Sequence, residues 1–263
     1  MEKIVLITGG SSGIGLKTSA ALNQAGYKVY EISRRDVKHP GIIHISGDIT
    51  SDSSVQDAVN YVIEQEGHID VLINNAGFGI SGAIEFTDIA SAQRQFDVNF
   101  FGLVRICHAV IPYMRKAGKG RIINISSVAG SIPIPFQAFY SASKASINSY
   151  TMALANEVKP YGISACAVMP GDIRTGFTAA REKEILGDSE YGGRLLRSVE
   201  KMEKDEKGGM EPEAIAKFIV KLVHKNSVKP LYSVRLDYRF FVMLSRFLPV
   251  RALNWLVYQL YAK

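Results

Sequence analysis

Ile4-Val5-Leu6-Ile7-Thr8-Gly9-Gly10-Ser11-Ser12-Gly13-Ile14-Gly15 is the stretch that decides the fold. Ile4 to Thr8 is a short apolar run that reads as a strand. Glycines follow in the spacing Gly-x-x-x-Gly-x-Gly, and a helical pattern continues through Leu16, Ala20, Leu22 and Ala25. A strand, a glycine turn and a helix form the context that makes a glycine motif a pyrophosphate site. Glycines let backbone approach the phosphates, and the helix start offers unpaired N–H groups and the positive end of its dipole. The spacing differs from the common Gly-x-Gly-x-x-Gly. Taken alone, such a run also describes a plain tight turn, so its neighbours have to decide.

The next strand is Lys28-Val29-Tyr30-Glu31-Ile32, followed by Ser33-Arg34-Arg35. Dinucleotide sites that select an unphosphorylated ribose end this strand with an acid. A small hydroxyl followed by two guanidinium groups suits a 2′-phosphate instead. The plain alternative is a solvated turn with two surface arginines, and Asp36 is placed to neutralise one of them. A third strand, Ile42-Ile43-His44-Ile45-Ser46-Gly47, ends at Asp48-Ile49, where an acid can accept from an adenine amino group. A helix capped near Ser51 or Asp52 runs through Val55, Val59, Val62 and Ile63. The strand Val71-Leu72-Ile73 enters Asn74-Asn75-Ala76-Gly77. Its amides are expected to tie strands together, and small Ala76 and Gly77 to admit a ribose.

Residues 88–115 read as one long helix containing Asn99, an amide that needs partners in apolar surroundings. The run Arg121-Ile122-Ile123-Asn124-Ile125 reads as a buried strand with Ser127 emerging at its C-terminal end. In open parallel sheets that edge binds ligands. The strand Ile163-Ser164-Ala165-Cys166-Ala167-Val168-Met169 leads into Pro170-Gly171-Asp172-Ile173-Arg174-Thr175. Strands alternating with helices predict an α/β doubly wound parallel sheet, a Rossmann fold, in a single domain.

Tyr140 and Lys144 stand four apart in a segment that reads as helical from Gln137, so they share a face about one turn apart. Free tyrosine titrates near pKa ~10 and is a poor proton donor at neutral pH. A neighbouring cation is expected to pull that value down. The plain reading of such a pair is a packed ring and a solvated lysine. It gains weight here from the glycine turn upstream.

The chain has 263 residues, 47% hydrophobic and 21% charged, enough for a sizeable core in one α/β domain. Cys107 and Cys166 lie in apolar segments and read as reduced core thiols of a cytosolic protein. The five histidines have no ligand spacing, so no metal site is expected. The first strand begins at once, and no signal peptide is read. The charge is uneven. Residues 1–211 hold 22 Lys+Arg against 23 Asp+Glu, and residues 212–263 hold 9 against 2. Basicity confined to the tail argues against a nucleic-acid-binding face.

The motifs together are more specific than any one of them. Thr8-Gly-x-x-x-Gly-x-Gly15, Asp48, Asn74-Asn75-Ala76-Gly77, Asn99, Ser127, Tyr140-x-x-x-Lys144 and Pro170-Gly171 stand in the order and spacing of the short-chain dehydrogenase/reductase family. The resemblance covers roughly residues 1–225. More loosely, the chain is similar to the branch of 17β-hydroxysteroid dehydrogenases and acyl-dihydroxyacetone-phosphate reductases. The resemblance implies a nicotinamide cofactor and a catalytic set of Asn99, Ser127, Tyr140 and Lys144. Tyr140 would donate the proton, Ser127 would hold the carbonyl oxygen, and Lys144 would lower the tyrosine pKa and hold the ribose. Asn99 would anchor a water. The implied cofactor positions are Gly9, Ser11, Ser12, Gly13, Ile14 and Gly15, then Ser33, Arg34, Arg35, Asp48 and Ile49. Asn75, Ala76, Gly77, Tyr140, Lys144, Pro170, Gly171, Ile173 and Thr175 complete them. Gly10 stands where alanine is frequent, a change expected to be harmless. The family implies a homodimer or homotetramer.

The expected activity is that of an NADPH-dependent carbonyl reductase acting on a lipophilic small molecule. The alternatives are an NAD-dependent alcohol dehydrogenase of the same fold and a dinucleotide-binding regulator without turnover. The substrate wall is expected from residues 128–136, which carry no charge, joined by Phe78, Ile80 and Phe177. Arg174 and Arg181 are candidates for a phosphate or carboxylate further out. Residues 1–225 read as the catalytic domain, with a charged, glycine-hinged flap at 176–211. Residues 226–263 read as a basic, aromatic, helical tail. Arg246, Pro249 and Arg251 interrupt its apolar run, so a membrane span, which needs ~20 apolar residues, is rejected. A lid, a subunit contact and a peripheral membrane contact stay open as its uses, and the protein is expected in the cytoplasm, with association at a membrane surface as the alternative.

Overall fold

The structure is a computed structural model that describes residues 2–36 and 38–263. In chain order, β1 (Ile4–Thr8) leads to α1 (Gly13–Gln24), β2 (Lys28–Ser33), β3 (Ile42–Ser46), α2 (Asp52–Glu66), β4 (Val71–Asn74) and β5 (Ile80–Gly82). Then come α3 (Ile89–Phe96), α4 (Gly102–Ala117), β6 (Gly120–Ile125), α5 (Ala138–Glu157) and β7 (Ile163–Met169). The last elements are α6 (Phe177–Ala180), β8 (Glu182–Glu184), α7 (Arg194–Lys207), α8 (Pro212–His224), β9 (Leu231–Ser233), α9 (Leu236–Leu244) and α10 (Val250–Tyr261).

Seven strands form one parallel sheet in the order β3-β2-β1-β4-β6-β7-β9. Consecutive residues of a strand feed opposite cores. Ile4 and Leu6, Tyr30 and Ile32, Leu72 and Ile122 face a core shared with α2, α4 and α5. Val5 and Ile7, Val29, Ile73 and Ile123 face a second core shared with α1 and α8. A sheet buried on both faces favours apolar residues on both sides of its central strands, which is why these strands read as near-continuous apolar runs. The strand order reverses at β1 and β4, and ligands of doubly wound sheets bind at that crevice.

Several local features follow from named residues. Ser51 caps α2, its hydroxyl accepting from Ser54 N at 3.3 Å. Pro212 occupies the first turn of α8, where its missing N–H costs nothing. The helix of the Tyr140 pair starts at Ala138, with Gln137 as its N-cap.

The long helix expected over 88–115 is divided. A π turn, Asp97–Phe101, separates α3 from α4. The buried Asn99 sits in that turn and bonds to the backbone of Phe78. Three short strands went unforeseen. β5 and β8 pair in parallel as a separate ribbon, and β9 extends the main sheet from the segment expected to be wholly helical. The stretch 176–211 holds α6, β8 and α7.

Candidate active site

The crevice between β1 and β4 is built by the glycine turn and two asparagines. Asn75 donates through Nδ2 to the carbonyls of Thr8, at 3.2 Å, and Gly9, at 3.0 Å. Thr8 Oγ1 accepts from the backbone N–H groups of Asn75 and Ala76, both at 3.1 Å. Asn74 donates to Asn124 Oδ1 at 2.8 Å, and Asn124 donates to Thr151 Oγ1 at 2.8 Å. These amides tie β1, β4, β6 and α5 together, as expected of them. Gly9 and Gly13 have φ of 66° and 53°, the region that favours glycine. A Cβ on Gly15 would overlap the Gly9 carbonyl oxygen.

These features suit a pyrophosphate. No side chain caps the start of α1 and no acid stands in its first turn, so its N–H groups and dipole are available to an anion. Thr175 lies across from the turn, 3.8 Å from where a Gly13 Cβ would stand. Arg35 donates to Ser12 Oγ at 3.1 Å, bringing a guanidinium onto the same loop. Arg34 acts on Asp48, whose carboxyl is held below its ordinary value mainly by the Thr50 backbone N–H. Asp36, which the sequence left as able to neutralise one of these arginines, pairs with neither among the described residues. It faces His44, at 4.0 Å. Ile49 packs against Gly102, where a Cβ would come within 2.7 Å of it.

Gly10 is not a harmless exchange for alanine in this chain. A Cβ there would stand 2.6 Å from Glu31 Cβ. Glu31 is fully buried under α1, bonded to His44 and Ser33, with its Oε2 unpartnered.

Ser127, Tyr140, Lys144 and Asn99 come together at the C-terminal ends of β4 and β6. Ser127 follows β6, its hydroxyl accepting from Ala129 N at 3.1 Å. Lys144 is 5% exposed and donates from Nζ to the Ile125 carbonyl at 2.9 Å. Its Nζ lies 5.7 Å from the centre of the Tyr140 ring. Burial pulls the Lys144 ammonium down to about 8. Burial also pushes the Tyr140 phenol up to about 12, opposed by a hydrogen bond with Ser127. Burial therefore governs the phenol in the absence of a bound nucleotide, with the Lys144 ammonium turned toward the Ile125 carbonyl rather than toward Tyr140. Asn99 accepts from Phe78 N at 2.9 Å and donates to Phe78 O at 3.0 Å and Ser143 Oγ at 3.1 Å.

Three supporting residues escaped the sequence reading. Ser126 Oγ donates to the Lys144 carbonyl at 3.0 Å. Ser143 bonds Asn99. Gly130 packs so closely on α5 that a Cβ would stand 2.7 Å from the Lys144 carbonyl carbon and oxygen. A Ser-Ser pair and a glycine before the helix were visible, but their roles need the packed backbone. The loop after β7 is fastened to this site, since Val128 N donates to the Pro170 carbonyl at 2.9 Å. Ile173 of that loop is buried.

The phenol has an aromatic neighbour, and the Arg181–Glu206 pair lies within electrostatic reach of it. The Phe177 ring lies 5.7 Å from that of Tyr140, and its tip packs on Gly79. Of the other residues expected to line the substrate wall, Ile80 and Ala129 are buried, and Phe136 is held at φ 59°, against Tyr191. Phe78 instead stacks under Arg94 of α3, at 5.5 Å. The two arginines expected to receive an anion are already paired. Arg174 pairs with Glu211, and Arg181, 4% exposed, pairs with Glu206. A buried guanidinium is held with its carboxylate, which leaves little charge for a ligand.

The sequence pattern of the short chain dehydrogenase family matches residues 3–185. The chain is 45% identical over 228 residues to a 3-ketodihydrosphingosine reductase of Bacteroides thetaiotaomicron, covering 86% of this chain and 85% of that one. It is 31% identical to retinol dehydrogenase 8 of Bos taurus, over 92% of this chain and 84% of that one. A short-chain dehydrogenase from Streptomyces avermitilis has a similar structure, with a TM-score of 0.84 at 28% identity over 96% of this chain and 94% of that one.

Proposed function

Because the chain belongs to the short-chain dehydrogenase family of oxidoreductases, we propose that it is an NADPH-dependent carbonyl reductase acting on lipophilic ketones. The observation that carries this reading is the convergence of Ser127, Tyr140 and buried Lys144 beside the Phe177 ring. The bound nicotinamide supplies the hydride. Tyr140 gives its proton to the carbonyl oxygen; burial alone raises the phenol to about 12 and weakens it as an acid, so its ionised form would have to be favoured by the cationic nicotinamide ring left after hydride transfer and by the Ser127 hydrogen bond. Ser127 holds the same oxygen, a donor placed in advance for the charge that develops there. Lys144 restores the proton and holds the ribose. Asn99 fixes the Phe78 backbone and Ser143 beside it.

Arg34 and Arg35 at the end of β2 support a 2′-phosphate, since no acid but the outward Asp36 follows that strand. The name of the Bacteroides relative, with its keto substrate, supports the ketone, and the uncharged 128–136 segment supports a lipophilic one. Residues 1–225 serve as the catalytic domain and 176–211 as its substrate flap. Two buried thiols support a reducing, cytoplasmic setting. Exposed Phe101 and Met152 suit the subunit contact of a homo-oligomer.

Initial rates with NADPH and NADH against 3-ketodihydrosphingosine, retinal, a ketosteroid and a small hydrophilic ketone test the reading. NADPH and the bulky ketones are expected to dominate. A charge-assisted bond is worth ~1.5–3 kcal/mol, so Arg34→Ala or Arg35→Ala should weaken NADPH roughly ten- to hundredfold and spare NADH. Equal kcat/KM for the two cofactors, or a preference for the small ketone, refutes it.

A further inference from the structure

The two final helices leave a large apolar surface uncovered. On α9 and the turn after it, Leu236, Phe240, Met243 and Phe247 form a stripe at helical spacing, with Phe247 78% exposed. On α10, Trp255, Leu256, Tyr258 and Leu260 are exposed, while Tyr261 and Ala262 pack on the core beneath α7. Arg239 on α9, Arg246 in the turn after it, Arg251 on α10 and Lys263 just beyond α10 are exposed and enter no ion pair among the described residues. The one acid from residue 235 onward is Asp237, and it is paired with Arg235.

This charge pattern discriminates between occupants. A second copy of the same face would set four unpaired cations against four, with no carboxylate to meet them. A surface of anionic headgroups over acyl chains complements both the cations and the apolar stripe. Nor do the helices cross a membrane. At ~1.5 Å per residue they span about 14 and 18 Å against a hydrocarbon core of ~30 Å, and no helix among the described residues is long and apolar enough to span it.

We propose that the outer faces of α9 and α10 dock on an anionic lipid bilayer. The face is held rigidly on the catalytic body. Tyr238 donates to Asp172 Oδ2 at 2.5 Å and accepts from Asp172 N at 3.1 Å, with its ring lying on Gly171. At the other end Tyr261 reaches Asp205 of α7 at 3.4 Å. Docking therefore places a bilayer beside both the loop after β7 and the flap, a position from which an apolar molecule can pass from lipid to the site.

Trp255 is the single tryptophan of the chain and 60% exposed, so its emission reports directly on this face. The full chain is mixed with phosphatidylcholine vesicles prepared with or without phosphatidylglycerol, at low and high salt. Co-sedimentation and a blue shift of Trp255 are expected with the anionic vesicles at low salt, both weakening as salt rises. Arg246→Glu/Arg251→Glu and, separately, Phe240→Ser/Phe247→Ser should each weaken binding about tenfold or more with circular dichroism unchanged. Absence of co-sedimentation of the unmodified chain with anionic vesicles overturns the proposal. So does a vesicle-free dimer by light scattering that the Phe240→Ser/Phe247→Ser variant disperses, since the face then belongs to a second copy.

Discussion

Replacing Lys144 with methionine is expected to abolish turnover and yet stabilise the protein in the absence of cofactor. The ammonium is held in a site where burial lowers its pKa from 10.5 to about 8. At ~1.4 kcal/mol per pH unit, that fall means the charged native state is disfavoured by about 3 kcal/mol. Methionine is nearly as long and has no charge to desolvate. It forfeits the bond to the Ile125 carbonyl, which returns about 1 kcal/mol, for a net gain of about 2 kcal/mol at pH 7. The direction with pH follows from the folded value lying below the unfolded one. Below about pH 8 lysine is charged in both states and the native state bears the whole penalty. Between about 8 and 10.5 the folded protein has shed the proton and the unfolded chain has not, so the parent gains stability as pH rises. Urea unfolding of both proteins at pH 7 and again near pH 9.5 measures this. The variant should lead at pH 7 and its lead should shrink at the higher pH. A variant less stable than the parent at pH 7, or a difference indifferent to pH, refutes the reasoning.

Tyr140→Phe should remove turnover and leave dinucleotide affinity nearly intact, measured by quenching of Trp255 or by calorimetry, since only the proton donor is lost. Gly10→Ala should destabilise by ~1–3 kcal/mol in denaturant unfolding, because its Cβ would stand 2.6 Å from Glu31 Cβ and overpacked sites cost that much. Gly130→Ala should push on the Lys144 backbone from 2.7 Å and lower kcat more than it raises KM, in steady-state kinetics with saturating cofactor.

The sequence by itself determined the doubly wound sheet, because the central residues of β1, β4 and β6 are apolar on both sides to serve two cores, and such runs are legible without coordinates. It determined the pairing of Tyr140 with Lys144, which is a matter of helical spacing, and the glycine turn, where Gly9 and Gly13 take conformations other residues resist. It did not determine β5, β8 or β9, since three residues are too few to show a period and each forms only because a partner edge is presented to it. The π turn that aims Asn99 at Phe78 has no local signature either. The fate of Arg181 rests on Glu206, twenty-five residues away in the chain and adjacent only once α7 folds back over the start of the 176–211 stretch. The electrostatic balance at Tyr140 also waited on the tertiary structure. Sequence spacing puts a cation one turn from the phenol, but how strongly each is desolvated, and where Lys144 points, depends on the protein packed around them.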